Sequence, residues 1–406
     1  MTSFLRRNPG FGRLWTAAGI SLVGDWLSFV AVAALALQSG DGAFGLALVF
    51  AAHSLPGAVL APFAGAIVDG MDRRRVLIAA DVIAAVVTMG MMVSAIAGVF
   101  GAIVPLLLVR SGVTSLVPPG ESAAIRRLVG PKDLLTANSI LAATWSVSYV
   151  AGMALGGAAA LLGPAIALGL DAGSFAIAAG VHAMLPAMPS PAKRRPLGAI
   201  MRATPSDTMA ALRVAGANRQ LLRAVLGKTP IGLAAGAAWV SLNWIGATTH
   251  PFGAAALSFG VLQAVRGAGT GIGPPIAARL ARRGIDERVL QMISVALALT
   301  GIAALGVVRG AGPLVALCFV WGIGTGSNWV LAHVALQRHS TDDVIGRLAA
   351  FDELLVTLAM VGSAFVGAAV ITWIGIEAAP LTGVGLGLLG LLATAALLRR
   401  GPSRPP

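Results

Sequence analysis

Residues 43–99 read AFGLALVFAAHSLPGAVLAPFAGAIVDGMDRRRVLIAADVIAAVVTMGMMVSAIAGV. Two long apolar runs flank one short charged turn. The run 43–68 has no charged residue, the run 76–99 has only Asp81, and the turn between them holds Asp69, Asp72, Arg73, Arg74 and Arg75. A helix needs about 20 apolar residues to cross a bilayer, and each run is longer. Lipid admits only helices or closed barrels as spanning structures. The runs are rich in Ala, Leu and Gly and lack the period-two alternation of barrel strands, so the stretch reads as a pair of transmembrane helices. Its arginine turn marks the cytoplasmic side, because Lys and Arg are retained there.

Working outward, the same pattern fills the chain. The predicted spans are 11–38, 43–68, 76–99, 102–125, 134–162, 164–187, 220–247, 253–278, 287–308, 312–336, 344–374 and 378–398. Basic residues precede the first span (Arg6, Arg7, Arg13) and follow every second one. They are Arg73–Arg75 after the second, Arg126, Arg127 and Lys132 after the fourth, and Lys193, Arg194, Arg195, Arg202 and Arg213 after the sixth. Arg279, Arg282 and Arg283 follow the eighth, Arg338 the tenth, and Arg399, Arg400 and Arg404 the twelfth. Arg309 is the exception in the opposite gaps. Both termini are therefore expected in the cytoplasm of a cell whose inner, cytoplasmic membrane holds the protein.

Composition agrees. The chain is 57% hydrophobic and 11% charged, with a mean hydropathy of +0.86, too little charge to coat a soluble domain of this size. The net charge of +13 comes from the cytoplasmic loops, so no nucleic-acid partner is expected. Cys318, the single cysteine, cannot form an internal disulfide, and no Cys/His metal pattern occurs. The first apolar run is too long for a signal-peptide core and reads as a retained span. Gly385-Leu-Gly387-Leu-Leu-Gly390 matches a dinucleotide fingerprint only as letters, since it lies inside the last span. Gly227-Lys228-Thr229 resembles the end of a phosphate loop, but Leu222 stands where its first glycine belongs. Nothing in the chain points to an enzyme or to ATP hydrolysis. No cofactor is expected, and an ion gradient remains as the energy source.

The one long hydrophilic connection, 189–217, divides the chain into an N-terminal six-helix bundle (1–188), a cytoplasmic linker (189–217) and a C-terminal six-helix bundle (218–406). An offset of 210 positions aligns Asn8 with Asn218, Arg13 with Arg223, Gly112 with Gly322, Asp133 with Asp343, Gly152 with Gly362 and Gly157 with Gly367. Two parallel six-helix repeats are a transporter architecture that places its substrate site between the halves, near the membrane midplane.

Gly65-Ala-Ile-Val-Asp69-Gly-Met-Asp72-Arg73-Arg74-Arg75 resembles the signature loop of the major facilitator superfamily: a glycine, an acid four residues on, then a basic cluster. The resemblance covers essentially the whole chain. Gly24-Asp25-Trp26, the run Asp69 to Asp81, Ala137-Asn138-Ser139 and Asp171-Ala172-Gly173-Ser174-Phe175 look like the branch that includes macrolide and siderophore exporters. It implies an all-α membrane protein of 12 transmembrane helices in two pseudo-symmetric bundles. Arg110 with Gly112 is similar to the span-four motif of proton-coupled members, and Gly152-Met-Ala-Leu-Gly156-Gly157 to the glycine-rich antiporter motif without its usual Gly-Pro pair. The second-half copy of the signature loop, 277–283, keeps its bases and loses its acid.

Particular side chains then acquire roles. Gly65, Asp69, Arg73 and Arg74 are the gating candidates, with Glu121 a further member of their charge network; such a latch would bias a conformational equilibrium. Asp25 is an acid deep in the first span, where exposure to lipid costs about 2.5–3.5 kcal/mol, so it should face protein and have a partner. At about 1.5 Å per residue it lies ~20 Å from the inner end of its span, and Arg110 lies ~12 Å from the outer end of its own. The depths coincide in a core about 30 Å thick. Asp25 and Arg110 are therefore read either as the proton-coupling pair or as a structural ion pair. Arg266, Asp352 and Glu353 are charged counterparts in the second half, with one acid expected on Arg266. Asp171 is read as a cap or tether for span six and Asp81 as interfacial. Trp26, His53, Trp145, Tyr149, Trp239 and Trp329 are the substrate-binding candidates, although many intramembrane tryptophans serve packing or the interfacial belt.

The expected function is proton-coupled efflux (antiport, as in multidrug resistance) of hydrophobic or amphipathic small molecules by alternating access. The expected partners are such a substrate, protons and the bilayer, with a monomer sufficient. A metabolite importer or facilitator of the same fold and a transport-inactive sensor or scaffold are the alternatives.

Overall fold

The computed structural model describes residues 1–190, 196–341 and 344–400, and these are helical, with no strand among them. Lys193, Arg194 and Arg195 of the linker, Asp343 of the internal match and Arg404 lie outside the described residues.

The first eight helices are α1 (Thr2–Arg7), α2 (Pro9–Gln38), α3 (Gly42–Asp69), α4 (Arg73–Ile96), α5 (Ile103–Thr114), α6 (Val117–Leu128), α7 (Leu134–Ala159) and α8 (Pro164–Ala183). After α9 (Leu197–Ala217) come α10 (Arg219–Leu226), α11 (Thr229–Thr249), α12 (Ala255–Arg282), α13 (Glu287–Ala304), α14 (Ala311–His339), α15 (Ile345–Trp373) and α16 (Ala378–Arg400). Among the described residues, eleven segments are long and apolar enough to cross a membrane. The helix missing from that set, α12, has 28 residues and occupies the expected eighth span; Gln263, Arg266, five glycines, Ser258 and Thr270 dilute its hydropathy.

Two expected spans are broken. The fourth divides at Ser115–Leu116, just before Pro118 and Pro119, and the seventh at Gly227–Lys228, just before Pro230. Proline has no amide hydrogen, so it is tolerated in the first turn of a new helix and disrupts the interior of an old one. Much of the hydrophilic linker is itself helical. Ala211 and Ala215 of α9 are buried against Leu221, Val225, Leu336 and Leu348. The residual basic exception, Arg309, is answered locally: it pairs with Glu377 at 3.1 Å and donates to three carbonyls of its own turn.

The chain forms two compact units, one of residues 1–39 and 52–202 and one of residues 40–51 and 203 onward. In the first, Phe4, Phe11, Leu14, Leu77, Ile125, Leu185 and Met188 make an apolar cluster. In the second, Leu242, Leu262, Leu299, Ile302, Cys318 and Trp321 form the core. Large apolar residues such as Val86, Leu155 and Leu392 stand exposed on the helices, as a lipid-facing surface requires. The protein is a multi-pass, all-helical membrane protein.

Candidate functional site

Three helices of the first unit converge on one buried guanidinium. Arg110 of α5 places Nη1 at 2.7 Å from Asp171 Oδ2 of α8 and donates from the same nitrogen to Ser28 Oγ of α2 at 2.9 Å. Its Nη2 lies 2.8 Å from Asp25 Oδ1. Ser174 adds a hydroxyl on Asp171 Oδ1 at 3.3 Å. The packing that permits this is written in glycine. A Cβ at Gly24 would stand 2.0 Å from Ser174 Oγ and 2.7 Å from Asp171 Oδ1, so α2 reaches α8 only because that position is bare. Cβ atoms at Gly152 and Gly156 would fall 2.5 Å from Trp26 Cβ and 2.6 Å from the Leu27 carbonyl, so α7 meets α2 the same way. Small residues allow such backbone approach in membranes.

The two carboxylates are not equivalent. Asp171 is fully buried and takes an aligned hydrogen bond, whereas Asp25 is 22% exposed and its contact is an ion pair without hydrogen-bond alignment. Two acids on one base leave the cluster one negative charge in excess. Asp25 is the more exposed member. Sequence depth brought Asp25 and Arg110 together correctly as neighbours; Asp171, expected to tether span six, does so through the same arginine.

Beside Asp25 lies an aromatic group. The Trp26 ring centroid is 4.6 Å from Tyr149, 5.2 Å from His53, 5.9 Å from Phe29 and 6.0 Å from Trp145, and Trp145 stacks on Tyr149 at 5.7 Å. Four candidates from three spans thus share one place. Trp26 Nε1 and His53 Nδ1 are buried with no protein hydrogen-bond partner. Such groups are costly unless something supplies a partner. Phe29, one turn along α2 from Asp25, was not singled out from the sequence.

The second unit departs from expectation. Asp352 pairs with Lys228, not Arg266: Lys228 Nζ is 2.6 Å from Asp352 Oδ2 and 3.9 Å from Glu353 Oε2, and it sits 4.6 Å from the Trp329 ring centroid. Lys228 and Asp352 are buried while Glu353 is half exposed. Depth explains the choice. Asp352 and Lys228 lie ~11 and ~14 Å from the same ends of their segments, whereas Arg266 lies ~24 Å from the corresponding end of α12. Arg266 donates from Nε to Gln263 Oε1 at 2.8 Å, and Gln263 in turn donates to Asn243 Oδ1 at 2.8 Å. Its guanidinium carbon lies 5.1 Å from the Trp321 ring. Trp239 is buried between Phe50 (4.9 Å) and Phe259 (6.1 Å), away from the charged group.

The signature loop bonds to the chain leaving α8. Asp72 caps α4 by accepting from Arg75 N at 3.1 Å and also accepts from Met188 N at 2.9 Å; Arg73 N donates to Met188 O at 3.2 Å. Arg74 donates to Ala183 O, Arg13 to Met184 O at 2.7 Å, and Ser190 Oγ to the Asp69 carbonyl. Those carbonyls are the unpaired acceptors of a helix C-terminus, where cations are favoured. Gly65 borders open space, so its missing side chain answers to no contact. Asp81, expected near the interface, is buried within the protein and bonded to His182 Nδ1 at 2.6 Å. Glu121 lies within electrostatic range of Asp81. His182 escaped the sequence reading, and Lys228 entered it only within the rejected phosphate-loop match. Each had a signal: His182 follows Asp171 by three helical turns on one face, and Lys228 is a lysine well inside an apolar run.

Buried ion pairs within a bundle of spanning helices define the class: a polytopic membrane transporter. The full length of the chain agrees, since residues 4–402 match the family model described as transmembrane secretion effector. The chain belongs to that family of the major facilitator superfamily, whose members are transporters and not enzymes. It is 36% identical over 154 residues to an uncharacterized MFS-type transporter of Mycobacterium tuberculosis, a match covering 36% of this chain and 34% of that one. It is 27% identical over 157 residues to an uncharacterized MFS-type transporter of Bacillus subtilis, covering 37% and 36%. The aligned region thus spans about a third of the curated relatives. Two crystal structures of the nucleoside transporter NupG, one of them a mutant, share the fold at TM-scores of 0.71 and 0.74. Their identities are 15% and 13%, and they cover 97% and 96% of this chain and 100% and 99% of theirs.

Proposed function

We propose that this transporter is a proton-coupled exporter of hydrophobic or amphipathic small molecules, working by alternating access of two six-helix bundles (1–188 and 218–406) joined by the 189–217 linker. It works as a monomer in the cytoplasmic membrane with both termini inside. The observation that carries the reading is the unequal grip of Arg110 on Asp25 and Asp171. A proton arriving on Asp25 neutralises the excess charge while Asp171 keeps the guanidinium satisfied, so the cluster survives both protonation states. Trp26, Trp145, Tyr149 and His53 surround that carboxylate with apolar surface and two unmet nitrogen atoms. A substrate seated there would feel the charge of Asp25 directly and compete with its proton. Asp69, Arg73, Arg74, Gly65 and Glu121 form the gate, Arg74 through its hold on the end of α8. Lys228, Asp352 and Glu353 are a second charged group on which the opposite bundle responds.

The test is transport by Asp25→Asn protein in inverted proteoliposomes loaded against a pH gradient, with a panel of hydrophobic dyes and macrolides. Gradient-driven accumulation is expected to vanish. Accumulation at the normal rate would refute the coupling role. The missing Gly-Pro pair in the glycine-rich motif of span five favours a second reading, a metabolite facilitator. In that case wild-type flux would follow the substrate gradient and ignore the pH gradient.

A further inference from the structure

The second unit holds a cavity of about 370 Å³ between α10, the turn joining α12 to α13, and α14, on the face that carries its basic loops. Its polar lining is Gln220, Arg223, Arg288, Gln291 and His339, together with the acids Asp286 and Glu287. We propose that this cavity binds a phosphate-bearing anion, held by Arg223 and Arg288.

Both acids are already engaged. Asp286 caps α13, its Oδ1 accepting from Arg288 N at 2.8 Å and Val289 N at 3.4 Å. Glu287 takes Arg338 Nη1 on both oxygens, at 2.6 and 2.7 Å. The guanidinium groups of Arg223 and Arg288 and the ring of His339 make no hydrogen bond or ion pair among the described residues. Arg223 is half-buried in this state. Its counterpart at the 210-residue offset, Arg13, spends its charge on the Met184 carbonyl at 2.7 Å. The second unit therefore keeps the arginine and leaves it facing a cavity.

The fold holds the two arginines to that cavity from separate elements. Arg223 rides on α10, whose start is capped by Asn218. Arg288 follows the tight turn at Gly284, where φ is +89° and a side chain would be strained. Guanidinium groups match phosphate oxygens in charge and in planar donor geometry. The volume falls in the range of small-ligand sites, and basic pockets between spanning helices at the cytoplasmic face take anionic headgroups. Two sources offer this chemistry, an anionic lipid headgroup and a free phosphate.

The experiment is thermal unfolding of the purified full-length protein in detergent, titrated separately with dioctanoyl phosphatidylglycerol, dioctanoyl phosphatidylcholine and inorganic phosphate. Phosphatidylglycerol is expected to raise the midpoint of the wild type. The Arg223→Gln/Arg288→Gln variant should need at least tenfold more lipid for the same shift. Arg282→Gln/Arg283→Gln, which removes equal charge beside the same turn at two residues that do not line the cavity, should leave the titration unchanged. Arg223→Lys/Arg288→Lys should retain part of the response and guards against misfolding of the glutamine pair. A response to phosphatidylglycerol alone assigns the lipid headgroup, and a response to inorganic phosphate as well assigns the phosphate group itself. No response to any of the three overturns the proposal, as does an equal titration of wild type and the 223/288 pair.

Discussion

At the scale of the residue, a buried charge is tolerable only while its partner remains. Arg110 shows the rule and its asymmetry. Replacing it by Met leaves Asp171 buried with only hydroxyl donors, and removing one side of a buried pair typically costs about 3–5 kcal/mol. The unfolding midpoint of Arg110→Met protein in detergent should drop well below that of the wild type. Asp171→Ala should be comparably damaging, and Asp25→Ala much milder, because Asp25 is partly solvated and loosely aligned. Equal losses for the two aspartates would contradict the unequal grip. The same logic applies to Lys228. Lys228→Met should destabilise, and adding Asp352→Leu should restore most of the loss, since replacing both members by apolar groups removes the stranded charge. Depth along a span made Asp25 and Arg110 readable as neighbours from the sequence. Depth also bears on Arg266: read from the sequence it falls at a depth comparable to Asp352 and Glu353, while Lys228, nearer in depth in the structure, sits in a helix break that apolar content does not reveal.

At the scale of the element, glycine decides which helices touch. A Cβ at Gly236 would lie 1.9 Å from the Met360 carbonyl, and at Gly322 and Gly326 2.1 Å from the carbonyls of Arg266 and Thr270. In each case the obstruction is backbone and cannot rotate away. Gly236→Val and Gly326→Val should therefore lose folded, monodisperse protein on size-exclusion chromatography. Gly65→Ala, with nothing within 4 Å of the new methyl, should elute and melt like the wild type while still reporting on transport rate. Gly-rich pairs such as Gly152/Gly156 and Gly322/Gly326 were legible because i, i+4 spacing puts them on one face. The breaks between α5 and α6 and between α10 and α11 were less so. Hydropathy averages over a proline-led restart, and only the Pro118-Pro119 pair hinted at one. The helix α9 lies within the stretch read only as a hydrophilic linker, and it holds Pro205, yet its Ala211 and Ala215 bury a face.

At the scale of the whole molecule, the fold was legible because lipid leaves few choices. Twelve apolar runs with alternating basic gaps have one simple threading, and the observed helices follow it to within several residues. The weak point is α12, which apolar content alone does not mark as a span. If α12 crosses the membrane, Lys132 and Arg283 lie inside and Leu162 and Val307 outside. If it does not, everything after it inverts, and Arg283 moves outside while Val307 moves inside. The native thiol of Cys318 is fully buried, so single cysteines can be read against a silent background. In intact cells a membrane-impermeant maleimide should label Leu162→Cys and Val307→Cys, both highly exposed, and spare Lys132→Cys and Arg283→Cys until the cells are opened. Labelling of Arg283→Cys in intact cells would remove α12 from the membrane, and with it the parity that puts both termini on one side.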